Sequence, residues 1–513
     1  MWTIMKARMD KVWSLLAKKQ ATVRSAAFVL MLMVFASRVL GLVRDRLLSA
    51  RFEPEELGVY FAAFRIPNLL FELLVMGALT SAFIPIFTKF LSQEKEKEAQ
   101  IMAATLINVG VVVLFGIAAP ILIWTPAVSS FLAPGFNDAQ IDQMSAFTRF
   151  MIVFQVVPLL VGNFFTGILQ SYNLFIIPAI APVAYNLGII LGIVALTPAL
   201  GLWAPVVGVG IGALLFFLIQ IPLIFRVGYR HRWGFGLKTP GVKEVGRLMG
   251  PRTFGLAVSQ IDTTVDLMLS SLLGARMVTI FNFAQHLQQL PVGLFGATIA
   301  QAALPSLSFQ AARDNREDFK TTIVRSVHQI LFFVLPASTL FIVLRIPIVR
   351  LVFGASRFDW EATVLTGMTL SMFSISLFAQ ALVQVLARGF YALYDTRTPV
   401  VAGIAGIIVN TTLSILFVVI LKMPIWSLGL STSVASFVNA GLLLFLLDRK
   451  LKFFPRAEFV IPALKMFLAA LITGVALYIP LKLLDPLVFD TTRTMGLLLL
   501  TGVSGAVGIA TYT

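Results

Sequence analysis

Residues Ala26–Leu48 read AAFVLMLMVFASRVLGLVRDRLL, an apolar run that continues without a loop signal into Arg38, Arg44, Asp45 and Arg46. An ionised side chain near the centre of a bilayer costs about 2.5–3.5 kcal/mol on insertion scales. A membrane helix keeps such groups only for a purpose. The rest of the chain decides whether this stretch is one. Of 513 residues, 58% are hydrophobic and 12% charged, with a mean hydropathy of +0.92. Soluble domains carry about a quarter charged residues. The fold class is therefore an all-α polytopic membrane protein. Cys is absent, which excludes disulfides, thiolate metal sites and cysteine nucleophiles.

A helix crosses a bilayer in about 20 apolar residues, and windows of that length recur about fourteen times. The second and eighth carry internal prolines (Pro67 and Pro85; Pro291 and Pro305), where bends are expected. The net charge of +16 follows a topological pattern. Residues 1–24 hold six Lys/Arg, the connection 226–247 holds six and 449–456 hold four, whereas 126–143 hold none. The positive-inside rule places both termini and the basic loops in the cytoplasm. Anionic headgroups, not nucleic acid, are the partner these charges imply. Residues 1–24 read as a retained basic amphipathic surface helix without a cleavage site. The lack of a flanking charge after Thr513 fits a chain that continues.

Two stretches repeat. GILQSYNLFIIPAIAP (Gly167–Pro182) and GFYALYDTRTPVVAG (Gly389–Gly403) each run Gly, Tyr (Tyr172, Tyr394), a polar residue (Asn173, Asp395) and Pro (Pro178, Pro399). Pro85 and Pro305 recur at the same offset within two residues. Two six-helix lobes follow, with spans 1–6 in 25–226, a basic linker 227–246, and spans 7–12 in 247–448. Residues 449–513 add two C-terminal helices. An even span count keeps both copies in one orientation, related by a pseudo-two-fold axis along the membrane normal. Chance similarity between apolar helices is the competing explanation. A transporter with a cavity between lobes is the functional reading. No nucleotide-binding loop, His-Glu-x-x-His pattern or nucleophile elbow is present, so the chain is read as no enzyme, and energy would come from the membrane potential or an ion gradient.

Intramembrane charges fall mostly on spans 1, 2, 7 and 8. Arg38 and Arg44 suit an anion, because a guanidinium fork matches phosphate oxygens. They lie roughly 120° apart around a helix and converge only if the stems swing or the helix bends at Gly41. Arg46 reads as snorkelling to headgroups. Asp262 and Asp266 share a face and, with Asn410 and Thr432, offer hard oxygens to a monovalent cation. Pairing with Arg252 or capping a kink is the competing role. His286, among Gln285, Gln288 and Gln289, reads as a polar lining residue before a proton relay.

The motifs SRVLGLVRD (Ser37–Asp45), FRIPNLL (Phe64–Leu70), GALTSAFIPIF (Gly77–Phe87), APGF (Ala133–Phe136), IPAIAPVAYN (Ile177–Asn186), MGP (Met249–Pro251), VSQID (Val258–Asp262) and RGFYALYDTRTPV (Arg388–Val400) together resemble the MviN/MurJ family of lipid II flippases, within the multidrug/oligosaccharidyl-lipid/polysaccharide exporter superfamily. The resemblance implies fourteen helices in two lobes and export of undecaprenyl-diphosphate-linked peptidoglycan precursor across the bacterial inner membrane by alternating access. It matches Arg38 and Arg44 to diphosphate-binding arginines and makes Arg65, Arg252 and His286 further substrate-binding candidates. It puts a sodium site at Asp266, Asn410 and Thr432, so that Na+ or H+ coupling is expected and no other cofactor. It gives spans 13 and 14 a groove for the lipid tail and adds cell-wall synthesis proteins as partners. The sequence departs from the family pattern at Gly58, Phe71, Met76, Gln285 and His286, where charged residues are usual. The alternatives are export of another polyprenyl-linked oligosaccharide, and a scaffold that binds the lipid precursor without moving it. A drug antiporter would want an acidic cavity, which span 1 contradicts.

Overall fold

The computed structural model describes residues 23–76, 82–236, 238–451, 456–487 and 494–512. The expected N-terminal surface helix lies outside these residues, apart from its last two positions. Among the described residues every regular element is helical. The chain divides into two compact units. The first comprises residues up to Phe52 and Glu56–Thr264; the second comprises Glu53–Glu55 and Val265 onward.

The first unit runs α1 (Val23–Arg51), α2 (Pro54–Ala63), α3 (Arg65–Phe71), α4 (Ile84–Ser92), α5 (Glu96–Ile123), α6 (Thr125–Leu132), α7 (Asp138–Met151), α8 (Val157–Ser171), α9 (Ile176–Leu191), α10 (Thr197–Leu200), α11 (Trp203–Leu218) and α12 (Ile221–Arg226). Helix α13 (Val242–Leu272) carries the boundary. The second unit continues with α14 (Ala275–Pro291), α15 (Thr298–Ala312), α16 (Arg316–Val343), α17 (Arg345–Phe353), α18 (Trp360–Ser374), α19 (Leu377–Ala392), α20 (Arg397–Ile415), α21 (Trp426–Lys450), α22 (Arg456–Leu487) and α23 (Thr494–Tyr512). Eleven stretches among the described residues are long and apolar enough to cross a membrane. The pair α18–α19, bent by 43°, makes a twelfth when taken as one span. Helices α1 and α13 stand where spans 1 and 7 were expected.

Prolines shape several of these helices. The second expected span contains α2, α3 and a π turn at Glu72–Met76, of which Pro54–Val75 is long and apolar enough to cross a membrane, and α4. In the eighth, a π turn at Val292–Ala297 follows Pro291 directly, while α15 continues through Pro305. Two further π turns, Ile152–Val156 and Gly192–Leu196, end two residues before Pro158 and Pro198. Proline lacks the N–H that the preceding turn needs and its ring crowds that turn's carbonyl, so a locally widened turn relieves the clash.

The repeat is visible in how helices stop. Among the described residues, the non-glycine residues with positive φ are Glu94, Asn173, Asp314, Tyr394 and Lys422, and Gly201 also has positive φ. They pair about 220 residues apart as Glu94 with Asp314, Asn173 with Tyr394, and Gly201 with Lys422. The hydrogen bonds pair too. Lys95 N–H donates to Phe90 O and Asn315 N–H to Gln310 O, both at 3.0 Å. Leu174 N–H donates to Leu169 O and Asp395 N–H to Phe390 O, both at 2.9 Å. Each is the six-to-one bond of a helix ended by a left-handed residue. The backbone sets Asn173 opposite Tyr394, one residue away from the tyrosine-to-tyrosine alignment that the sequence invites.

Packing differs between the units. In the first, α9 lies against both α1 and α11. The contact of α11 with α9 and with the π turn that continues it rests on glycines: a Cβ on Gly188 would collide with the backbone of Gly212, and one on Gly192 with that of Gly208. Small residues spaced by four let helix backbones meet in lipid, where packing rather than water exclusion drives association. In the second unit, Phe319, Ile323, Val327, Ile330 and Val334 of α16 bury against Val385 of α19 and Leu443 and Leu447 of α21.

Candidate functional site

Helix α1 runs unbroken through Gly41, so its arginines remain on different faces. Arg38 is exposed. Arg44 turns back on its neighbour: Nε donates to Asp45 Oδ1 at 2.9 Å and Nη2 lies 2.8 Å from the same oxygen. Asp45 is 2% exposed. Seven residues on, Asp45 falls on the helix face of Arg38, yet the structure pairs it with Arg44, whose stem swings toward it. Nη1 of Arg44 faces Asn186 Oδ1 at 3.5 Å. The Asn186 amide in turn donates to Ser37 Oγ at 3.1 Å and to Pro182 O at 3.2 Å. Tyr60 and Tyr185 lie within electrostatic reach of Arg44.

The result is a semi-buried guanidinium with one fixed counter-charge, braced by α9. An arginine carries five N–H donors, and these bonds do not use them all. Its fork can therefore take an incoming anion while Asp45 holds it in place. Sequence reasoning alone assigns Asn186 no role. Its signal was a polar amide deep in an otherwise apolar span, one turn after Pro182.

Arg65 serves differently. It is 8% exposed. Its Nε donates to Thr264 Oγ1 at 3.0 Å, and Nη2 donates to the same oxygen at 2.7 Å and to Gln260 O at 2.5 Å. Arg65 thus clamps α3 to α13, and Thr253 Oγ1 adds a bond to Leu73 O at 3.4 Å. These ties explain why the unit boundary falls within α13 rather than in the linker 227–246. Arg252 belongs to α13, but its side chain lies outside the described residues.

Of the cation candidates, Asp262 and Asp266 both lie on α13, half-buried and buried respectively. Asn410 is buried on α20. Thr432 on α21 donates its hydroxyl to Leu428 O at 2.9 Å, which leaves its lone pairs uncommitted by that bond. No group of three or more His, Asp or Glu side chains suited to a metal occurs among the described residues. His286 is half-buried on α14, two residues before Gln288 and so on a different face; the Gln288 side chain accepts from Gln380 at 3.3 Å. A cavity of about 610 Å3 opens between α16 and α22, lined by Arg325, His328, Phe332, Phe333, Glu458 and Met466 among others. His328 Nε2–H donates to Phe459 O at 3.0 Å on its wall.

Comparison with known proteins places this arrangement. A family described as "Lipid II flippase MurJ" matches residues 56–491. A lipid II flippase MurJ of Burkholderia cenocepacia is 30% identical over 432 residues, 81% of each chain. A probable lipid II flippase MurJ of Bdellovibrio bacteriovorus is 29% identical over 497 residues, 94% of this chain and 92% of its own. The solved structure of a lipid II flippase MurJ in an inward closed conformation has a TM-score of 0.77 at 24% identity, covering 94% of this chain and 97% of that one. An inward-facing multidrug transporter of the MATE family has a TM-score of 0.68 at 13% identity, over 81% of this chain and 94% of its own. The two solved structures speak to the fold; the family match and the relatives establish descent. The chain belongs to the lipid II flippase MurJ family.

Proposed function

We propose that this protein translocates lipid II, an undecaprenyl-diphosphate-linked peptidoglycan precursor, from the cytoplasmic to the outer leaflet of a bacterial inner membrane. The observation that carries the reading is Arg44, semi-buried and held by Asp45 with Asn186 opposite its fork. Arg44 grips the diphosphate, and exposed Arg38, earlier on the same helix, receives it. With the cytoplasm negative, outward movement of an anion gains about 2.3 kcal/mol per unit charge per 100 mV. On this reading α1 and α13 complete fourteen spans in two lobes, the protein works by alternating access, and both termini lie in the cytoplasm. The polyprenyl tail follows α22, which exposes Leu464, Leu468, Leu471 and Ile472, and α23, which exposes Leu498, Leu499 and Ile509.

A monovalent cation completes the cycle at Asp266, Asn410 and Thr432. One carboxylate, one amide and one hydroxyl form the hard oxygen set that such an ion takes. Protection of α20 and α21 from hydrogen exchange by Na+, lost in Asp266→Asn, is the expected sign.

The deciding experiment is rescue of a bacterium depleted of its own lipid II flippase, at matched expression. Wild type should restore growth; Arg38→Ala and Arg44→Ala should not. Arg44→Lys should rescue poorly, because it keeps the charge and loses the fork. A well-inserted wild type that fails to rescue would redirect the assignment to another polyprenyl-linked saccharide. The uncharged Gly58, Phe71, Met76 and Gln285 would then be the residues to examine.

A further inference from the structure

The connection after α12 is no slack tether. Residues 228–236 fold back along α5 and are fastened to it at measured points. Gln100 Nε2 donates to Gly228 O at 3.2 Å. Asn108, 3% exposed, donates through Nδ2 to both Arg232 O and Gly234 O at 3.0 Å. Its Oδ1 lies 2.9 Å from His231 Nε2, and His231 Nδ1 lies 3.1 Å from the hydroxyl of buried Tyr229. One buried amide therefore spends three bonds on the tip of the loop. The residue it brackets is Trp233.

Trp233 is 88% exposed and Phe235 60% exposed, with Phe225 at 70% just before the loop. Between and beside these rings stand exposed Arg226, Arg230 and Arg232. Depth gives the arrangement its meaning. Asn108 lies about 18 Å along α5 from Glu96 and about 10 Å past Ile101, where the apolar run of that helix begins, at 1.5 Å per residue. The loop tip is thus pinned within the membrane-spanning part of α5. Exposed rings at that depth meet acyl chains, and arginine stems extend from there toward the interface and its phosphates.

We infer that Arg226–Gly236 forms an aromatic wedge that inserts Trp233 and Phe235 into the leaflet on this side of the membrane and binds anionic phospholipid headgroups through Arg230 and Arg232. On the orientation proposed above this is the cytoplasmic leaflet, but the wedge does not depend on that orientation or on the transported substrate. Lipid is the occupant because the rings project outward at membrane depth beside a cationic rim. A partner peptide would have to displace bilayer to reach them.

The chain contains no cysteine, so single labels need no background engineering. Spin labels on Trp233→Cys and Phe235→Cys, in vesicles of phosphatidylcholine with or without phosphatidylglycerol, should collide several-fold more with oxygen than with an aqueous nickel chelate. A label on Lys97→Cys, in the exposed first turn of α5, should show the reverse. Adding phosphatidylglycerol should slow the Trp233 label, and Arg230→Gln with Arg232→Gln should abolish that response. Asn108→Ala should free the label while leaving the Lys97 position unchanged. Free access of nickel to both aromatic positions would overturn the wedge. A lipid-immersed label that ignores phosphatidylglycerol would overturn the assignment of anionic lipid.

Discussion

Helices α9 and α11 in the first unit and α20 and α21 in the second occupy matching places in the repeat, yet they are joined by opposite means. The first pair meets glycine on glycine, Gly192 against Gly208 and Gly188 against Gly212. The second pair is joined by a buried hydrogen bond, Ser414 Oγ to Ser431 Oγ at 2.6 Å. Buried Asn410 stands close to the position that Gly188 fills in the first unit. Close backbone contact leaves no room for a polar group. A serine contact holds the helices far enough apart to admit one. The repeat has thus kept its backbone while one copy closed a seam and the other kept it polar, and the cation proposal rests on the polar copy.

The largest effect should come from filling the closed seam. Gly192→Ala places a Cβ in collision with Gly208 and 2.9 Å from Ala204 O. Neither is a side chain that can rotate away. Overpacking of this kind costs about 1–3 kcal/mol, read as a lowered unfolding midpoint in detergent. Gly406→Ala on α20 is the matched test: its Cβ would stand 3.3 Å from Asn439 Cβ and 3.5 Å from Ala435 O. The gain in helix propensity, up to about 1 kcal/mol, should offset that crowding. Equal losses at both sites would erase the distinction between the seams.

Next come the helix caps that open α7 and α18. Asn137 closes a capping box with Gln140. Asp359 caps Ala362 N–H and also takes Arg276 Nη2 at 2.6 and 2.7 Å, within a cluster that includes Glu55 and Glu361. Asn137→Ala should cost about 0.5–2 kcal/mol. Asp359→Ala should cost more, because it removes a cap and the Arg276 pair together; with Asp359 52% exposed, solvent screening keeps the pair's share below about 1 kcal/mol. Unfolding midpoints of the two variants provide the check, and a larger loss at Asn137 would contradict the ranking. The serine seam offers a smaller contrast. The Ser431 hydroxyl donates to Leu428 O at 2.9 Å, so Ser431→Ala alone takes the acceptor from the buried Ser414 hydroxyl, whereas Ser414→Ala with Ser431→Ala removes both polar groups and should recover most of the loss.

Much of this was legible in the sequence. Apolar windows gave the class, and recurrent Gly, Tyr and Pro gave the repeat. Arg44 stood out because a charge in an apolar run demands a partner. What stayed hidden depends on contacts between distant segments. Nothing local says that Asp45 will choose its neighbour over Arg38, since adjacent residues on a helix point about 100° apart and only a curled stem joins them. The family resemblance makes Arg65 a substrate-binding candidate. Its clamp on Thr264 needs α3 and α13 side by side. The glycine seam was written as two spacings of four, but a periodic glycine in an apolar helix is uninformative until its partner helix is known. Asn108 is a single polar residue whose role appears only when the linker folds onto it.

The smallest effect concerns the turns ended by Asn173 and Tyr394. They share a left-handed residue and a six-to-one bond but differ in charge. Asp395 accepts from Lys450 Nζ at 2.6 Å, from Thr398 N–H at 3.0 Å and from Thr398 Oγ1 at 2.8 Å. Lys450 and then the Thr398 N–H hold its carboxyl down at about 2, against an ordinary 3.8. A depressed carboxylate stabilises above its unfolded value and loses that contribution as pH falls, so the turn should loosen between about pH 4 and pH 2. Lys450 is 41% exposed, and solvent screening keeps the worth of such a pair below about 1 kcal/mol. A spin label on Thr396→Cys should gain mobility in this window and lose the pH response in the Asp395→Asn background. A label on Asn173→Cys, in a turn with no carboxylate, should stay unchanged. If both turns loosened together, the whole fold would be titrating and Lys450 would not be the cause. Loosening of the Thr396 label alone, centred near 3.8, would show that Lys450 releases Asp395 in solution and that the two turns differ only in sequence.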